Sequence, residues 1–269
     1  MIDLWFVLAL TAAGLFAGFV GGLFGIGGGA VVVPALYLVF TALGVDESVR
    51  MHVAIGTSLS TIVSTSWRSL STHIKAGAVD FGVLRSWGPW ITAGAIAGAV
   101  VAGLVNNEVL LIVFGGGLLL IALQMAFGNP AWRLADDLPT GVARAAIAGG
   151  IGLLSAMMGV GGGAFGVTVM TLCGRPIHQA VATASGFGAA IALPAALGNV
   201  IAGWGHAGLP AWSLGYVSLP GFVVLAILTA ITAPIGARLA HRLPVPILRR
   251  AFAVFLASVA LNMLRAAFS

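Results

Sequence analysis

Hydrophobic positions run along this chain in blocks longer than any single soluble helix requires. Residues 4–45, 86–107, 109–132, 145–174 and 176–237 contain no Asp, Glu, Lys or Arg. A membrane-spanning helix takes about 20 apolar residues, so several of these blocks hold more than one. Dividing them at glycine, proline and polar clusters predicts helical segments near 4–20, 30–44, 51–72, 86–105, 109–127, 142–157, 164–173, 177–202, 214–240 and 245–267. The second and seventh are short for a full crossing. The pattern is that of an all-α integral membrane protein of about ten transmembrane or partly spanning helices.

Two glycine clusters interrupt the pattern, GGLFGIGGGAVVVP at 21–34 and AMMGVGGGAFGVTV at 156–169. The match between them extends further. His52-Val53-Ala54-Ile55-Gly56-Thr57 aligns with His178-Gln179-Ala180-Val181-Ala182-Thr183. Lys75-Ala76-Gly77 aligns with His206-Ala207-Gly208, and Ala122-Leu123-Gln124-Met125 with Ala260-Leu261-Asn262-Met263. Four matches in the same order indicate an internal duplication. The polar stretch GNPAWRLADDLPTG separates the copies. The expected organisation is a first five-helix repeat over 1–128, a cytoplasmic linker over 129–141 and a second repeat over 142–269.

Charge sets the orientation. Arg68, Lys75, Arg85, Arg133, Arg144, Arg175, Arg238, Arg242, Arg249 and Arg250 fall on one side if the spans alternate, leaving Arg50 and Arg265 on the other. The positive-inside rule then places both termini outside, in the periplasm of a cell inner membrane. Five segments is an odd number, so the second repeat is inverted relative to the first. Inverted repeats with glycine-broken helices near the midplane are a recurrent plan of secondary transporters.

Composition narrows the class further. The chain is 60% hydrophobic and 7% charged, against about 25% charged in a soluble domain. Its net charge of +5 sits at the ends of apolar runs, which argues for topology and against nucleic acid. The N-terminus carries Asp3 rather than a basic start and reads as a retained first helix. Cys173 is the single cysteine, so no disulfide or cysteine-built metal site is expected, and no cofactor. There is no H-E-x-x-H or G-x-S-x-G motif, which argues against an enzyme.

The glycine clusters admit three readings. Gly161-Gly162-Gly163-Ala164-Phe165-Gly166 fits a dinucleotide fingerprint, but its flanks are apolar and no Asp or Glu follows it. Close helix packing suits Gly94-Ala95-Ile96-Ala97-Gly98. Runs of adjacent glycines, each costing a helix about 1 kcal/mol relative to alanine, suit a broken helix whose exposed amides and positive dipole end receive an anion. Two inverted copies bring two such helix starts towards one axis.

Polar residues fit a lined path. Thr57, Thr61, Ser64, Arg68 and Ser71 recur at helical spacing. Single hydroxyls in membrane helices also bond back to their own backbone. His52 and His178 are either interfacial histidines or gating, proton-linked groups. Gln124 and Asn262 match across the repeat and either bond between helices or line the path. Asn199 and Pro194 allow a kink in the eighth segment. His73, Lys75 and Asp80 read as a membrane-edge charge cluster. Arg68 and Arg175 mark the cytoplasmic mouth by position.

The paired GxGGG elements, the His-then-Ala-x-x-Thr stretches and the segments TSW-R...HIKAGAVDFG (65–82) and LGYVSLPG...TAPIGARLAHRLP...LRRAF (214–252) resemble the sulfite exporter TauE/SafE family over nearly the whole chain. The resemblance implies an inner-membrane carrier of a small sulfur-containing anion: sulfite, thiosulfate, sulfoacetate or another organosulfonate. An anion channel, or a permease for another small carboxylate, is the alternative. The family's glycine elements map to Gly25, Gly27, Gly28 and Gly29 and to Gly159, Gly161, Gly162 and Gly163. Thr57, Ser58, Thr183 and Ser185 are their expected neighbours. The expected partners are the anionic substrate, membrane lipid and, through the apolar outer face, a second copy of the chain.

Overall fold

A computed structural model of the chain describes residues 4–24, 28–128, 133–240 and 245–268. The elements are α1 (Leu4–Phe24), α2 (Gly29–Ala42), α3 (Glu47–Lys75), α4 (Phe81–Leu104), α5 (Asn107–Phe127), α6 (Gly141–Met158), α7 (Gly163–Leu172), α8 (Ile177–Ala202), β1 (Ser213–Leu214), β2 (Val217–Ser218), α9 (Leu219–Ala240) and α10 (Val245–Ala267). Among the described residues, six helices, α4, α5, α6, α8, α9 and α10, contain stretches long and apolar enough to cross a membrane. The protein is a multi-pass, mostly helical membrane protein.

Helix starts fall earlier than the apolar runs suggest, because polar residues serve as caps. Asp46 Oδ1 accepts from the Ser48 N–H at 2.9 Å, so α3 begins at Glu47 rather than near 51. Asp80 Oδ1 accepts from the Val83 N–H at 3.0 Å, and Asn106 Oδ1 from the Val109 N–H at 3.0 Å. Each satisfies an amide that the first helical turn leaves unpaired. Asp80 is therefore the cap of α4 as well as part of the expected charge cluster.

The ninth segment begins later than expected. Residues 213–218 form a small antiparallel hairpin in which Ser213 faces Ser218 and Leu214 faces Val217. Gly215, at φ 56°, supplies the first turn position, as a two-residue hairpin loop of this kind requires. Tyr216 tucks inward, 4% exposed, and its N–H donates to the Asn199 carbonyl at 3.1 Å.

α2 and α7 are short, at 14 and 10 residues. α3 is the longest helix, at 29 residues, and carries the hydroxyl stripe. Its stretch from Val49 to Ile62 is largely buried among other helices, so its polar groups avoid hydrocarbon.

Helices α1–α5 interlock with helices α6–α10. α1 packs on α9 and α4 on α6, while α3 packs on α8 and α5 on α10. Small residues set these crossings. Gly14 lies on Leu225 and Leu228, and Gly18 on Thr229 and Thr232; Gly94 and Gly98 lie on Gly149 and Leu153, and Gly152 on Ile91 and Ala95. A side chain at Gly94 would meet the Gly149 backbone itself, which is the packing expected of that stretch. α3 and α8 run antiparallel, with Gly56 against Asn199, Ser66 against Gly188 and Leu70 against Gly186.

Candidate functional site

α6 ends in a left-handed cap at Gly159, φ 68°, whose N–H reaches the Ser155 and Ala156 carbonyls. The chain continues without helix to Gly162, φ 67°, and α7 starts at Gly163. Gly28, φ 73°, occupies the same place at the head of α2. Side chains with a Cβ rarely adopt this backbone conformation. Gly25 and Gly27 lie outside the described residues.

The start of α2 and the second break lie against each other. A Cβ on Gly29 would stand 2.6 Å from the Gly159 carbonyl oxygen and 2.9 Å from Val160 Cα. Ser58 Oγ, fully buried, donates to that same Gly159 carbonyl at 2.9 Å. Gly159 packs on Val33 and Ile55, Gly161 on Ile62 and Gly188, and Gly162 on Ile191. These four glycines permit close packing of backbone on helix. Gly163 faces open space, with nothing within 4 Å of an added Cβ, and Gly28 meets only its own helix's Val32. Among the described residues, the amides of Gly162, Gly163 and Ala164 have no acceptor. The helix start therefore presents unpaired N–H groups and the positive end of the α7 dipole.

The buried threonines act as joints between the halves. Thr57 Oγ1 accepts from the Ser218 N–H at 3.0 Å, and Thr183 Oγ1 accepts from the Asp80 N–H at 2.9 Å. Both threonines are fully buried. Ser218 and Asp80 hold equivalent posts. Each directly precedes a helix, α9 and α4 respectively, and each side chain accepts from an amide three residues on, Gly221 at 3.3 Å and Val83 at 3.0 Å. α3 thus holds the start of α9, and α8 holds the start of α4. Ser185 Oγ donates to the Ala182 carbonyl at 2.6 Å, and Thr61, Ser64 and Ser71 likewise bond back to their own helices.

The histidines part company. His52 is 4% exposed, and its Nε2 lies 3.0 Å from the Ala102 carbonyl and 3.1 Å from that of Val105. Two facing acceptors put the proton on Nε2, which holds the end of α4. The His52 ring rests 4.8 Å from that of Tyr216. His178 is exposed in the first turn of α8. Gln124 and Asn262 are exposed on the paired helices α5 and α10, and among the described residues neither side chain is hydrogen-bonded. Arg175 Nη2 pairs with Asp137 Oδ1 at 3.0 Å, tying the linker to the turn before α8. Arg68 is exposed and lines a cavity between α3 and α8.

Sequence reasoning missed Ser218, Tyr216 and Ser155. Ser218 was detectable, since Val217-Ser218-Leu219 stands where the first half has Val79-Asp80-Phe81. Ser155 is fully buried with an unpartnered Oγ beside Gly162. No group of His, Cys, Asp or Glu able to hold a metal occurs among the described residues.

The family model for the sulfite exporter TauE/SafE matches residues 10–263. The chain is 33% identical to a probable membrane transporter protein of Haemophilus influenzae, covering 96% of this chain and 98% of that one. It is 27% identical to a probable membrane transporter protein of Methanocaldococcus jannaschii, over 95% and 94% of the two chains. A probable membrane transporter protein of Bacillus subtilis, YunE, is 33% identical over 61% of this chain and 66% of its own. No solved structure matches. These relatives bear the name of probable membrane transporters rather than of enzymes, and the chain belongs to the sulfite exporter TauE/SafE family.

Proposed function

We propose that this membrane transporter carries a small sulfur-containing anion, such as sulfite, thiosulfate, sulfoacetate or another organosulfonate, by alternating access. The observation that carries the reading is the glycine-broken helix start at Gly162–Ala164, with unpaired amides, just beyond the Gly159–Val160 backbone on which the start of α2 packs. An anion is the ligand that such a helix start favours. No fixed guanidinium grips it at the break, which suits a substrate that must leave again.

The packing supports an inverted duplication, with repeats over 1–128 and 142–269. Contacts between halves come as exchanged pairs, α1 on α9 with α6 on α4, and Thr57 on Ser218 with Thr183 on Asp80. The antiparallel course of α3 and α8 fits the same relation. Rocking about these joints would open the site alternately to each side. The basic residues favour a cytoplasmic linker and termini outside the inner membrane. Exposed apolar residues such as Leu104 and Ile201 leave an outer face for lipid or a second copy of the chain.

The test is a thermal-shift screen of the purified protein against sulfite, sulfate, thiosulfate, sulfoacetate, taurine, acetate and malonate. Ligand that binds only the folded state raises its apparent stability. Selective stabilisation by sulfur oxyanions or sulfonates is expected. Stabilisation by carboxylates alone would overturn the substrate class.

A further inference from the structure

Ser155 stands in the last turn of α6, where its backbone and its side chain act separately. Its carbonyl accepts from the Gly159 and Val160 N–H groups and closes the helix. Its hydroxyl is fully buried and has no hydrogen-bond partner among the described residues. The usual arrangement in this fold is different. Thr61, Ser64, Thr168, Ser185 and Thr229 each donate to a carbonyl three or four residues back on their own helix. The Ile151 carbonyl, four residues back from Ser155, receives no such bond. A buried hydroxyl without a partner is costly and uncommon in a native fold, so it calls for a cause.

The surroundings of the hydroxyl supply one. A Cβ on Gly162 would stand 3.5 Å from Ser155 Oγ and would run into Ile191. The bare Gly162, at φ 67°, therefore leaves a gap between the hydroxyl and the point where α7 begins. The Gly162, Gly163 and Ala164 amides lie across that gap without acceptors. Nearby carbonyls are already engaged: that of Gly159 by Ser58 Oγ, that of Ser155 by Val160 and that of Gly162 by Gly166. The break is left with four free donors, three amides and one hydroxyl. Such a surplus is matched by a ligand that brings acceptor oxygens. The two copies differ here. In the register that pairs Gly25 with Gly159, Ser155 corresponds to Gly21, which has no hydroxyl.

We infer that Ser155 is a substrate-binding residue, its hydroxyl donating to an oxygen of the transported anion beside the first amides of α7. This rests on the reading of the glycine break as the anion site and adds to it a side chain. The hydroxyl gives direction to a site otherwise made of backbone. It does so without a fixed charge, so the anion is recognised and can still leave. It also makes the site unequal, with a hydroxyl from the second break and none from the matching position of the first.

The experiment compares wild type with Ser155→Ala, both full-length and in nanodiscs, by calorimetric titration with sulfite and with thiosulfate and by thermal unfolding without ligand. Losing a hydrogen bond to a charged ligand is expected to raise Kd about tenfold to a hundredfold for both anions. The ligand-free variant is expected to melt at or above the wild type, because the substitution removes a hydroxyl that has no partner there. That pairing separates the inference from a structural role, which would lower the ligand-free melting temperature. Ser155→Ala that binds both anions as tightly as the wild type would overturn the inference. So would weaker binding accompanied by a lower ligand-free melting temperature, since the hydroxyl would then support the fold of the break. If the wild type binds and the variant binds equally well, only this inference fails. If the wild type binds neither these anions nor any other in the screen, the carrier reading fails with it.

Discussion

Replacing Thr57 by valine keeps the side chain's shape and removes one oxygen. The Ser218 amide, which Thr57 Oγ1 accepts at 3.0 Å, then has no partner. Thr57 and Ser218 are both fully buried, so no water takes the oxygen's place. An orphaned buried amide costs about 1–3 kcal/mol, while hydrogen bonds between membrane helices average about 0.6 and reach about 1.7 kcal/mol. The two ranges overlap at about 1–1.7 kcal/mol, a fall of roughly 2–7 °C in melting temperature for a chain of this size. Thr183→Val removes the equivalent bond to Asp80 and is expected to match it. Thr61→Val is the control. Its hydroxyl bonds only to the Thr57 carbonyl one turn back, so its loss is expected to stay below about 0.5 kcal/mol. The assay is thermal unfolding of the three purified variants in one detergent, followed by flux in proteoliposomes. If Thr57→Val and Thr183→Val melt no lower than Thr61→Val, the threonines are not joints between the halves.

The glycines separate in the same way. Gly29→Ala places a Cβ 2.6 Å from the Gly159 carbonyl and is expected to destabilise by about 1–3 kcal/mol; Gly163→Ala meets nothing within 4 Å, should melt at or above the wild type, and should lower flux by crowding the open helix start. Equal melting of the two would show that the breaks do not touch. Asp137→Asn breaks the exposed pair with Arg175 and is expected to change stability by less than about 1 kcal/mol with flux retained, as measured on the same preparations. Ser48's hydroxyl and then its N–H hold the Asp46 carboxyl below its ordinary value. That cap therefore contributes fully above the ordinary carboxylate range and is lost as pH falls through the lowered value. Asp46→Ala should lose less stability than the wild type between pH 6 and pH 3, about the carboxylate range; superimposed profiles would show that the cap contributes nothing.

Much of the architecture was legible because hydrocarbon tolerates few charges, and the charge-free blocks of this chain mark its helices. The glycine breaks and the shortness of α2 and α7 were legible for the same reason, since consecutive glycines weaken any helix. The joints were not. Thr57 and Thr183 are held by backbone amides of distant segments, and an amide has no signature in sequence. The histidines show the limit most clearly. His52 and His178 sit in matching contexts, yet only His52 is buried under an aromatic ring. In the register that pairs Asp80 with Ser218, Tyr216 stands where the first half has Ala78. One half covers the other's histidine with a ring, and the reciprocal position holds a methyl. The hairpin that carries Tyr216 also hid in an apolar run, because Leu214-Gly215-Tyr216-Val217 is as apolar as the helix that follows. Ser58 stood beside the expected glycines, but its role as donor to Gly159 depends on how closely α3 approaches the break.

The central claim is that the chain is a carrier whose paired helix breaks receive a small sulfur-containing anion. Counterflow in proteoliposomes tests it most directly. Vesicles are loaded with unlabelled substrate, taken from the strongest stabiliser in the anion screen, and given a trace of labelled substrate outside. A carrier is expected to accumulate label transiently above equilibrium, with an initial rate that saturates as external substrate is raised. Uptake that rises linearly with concentration, with no transient accumulation, would contradict alternating access and make the protein an anion channel.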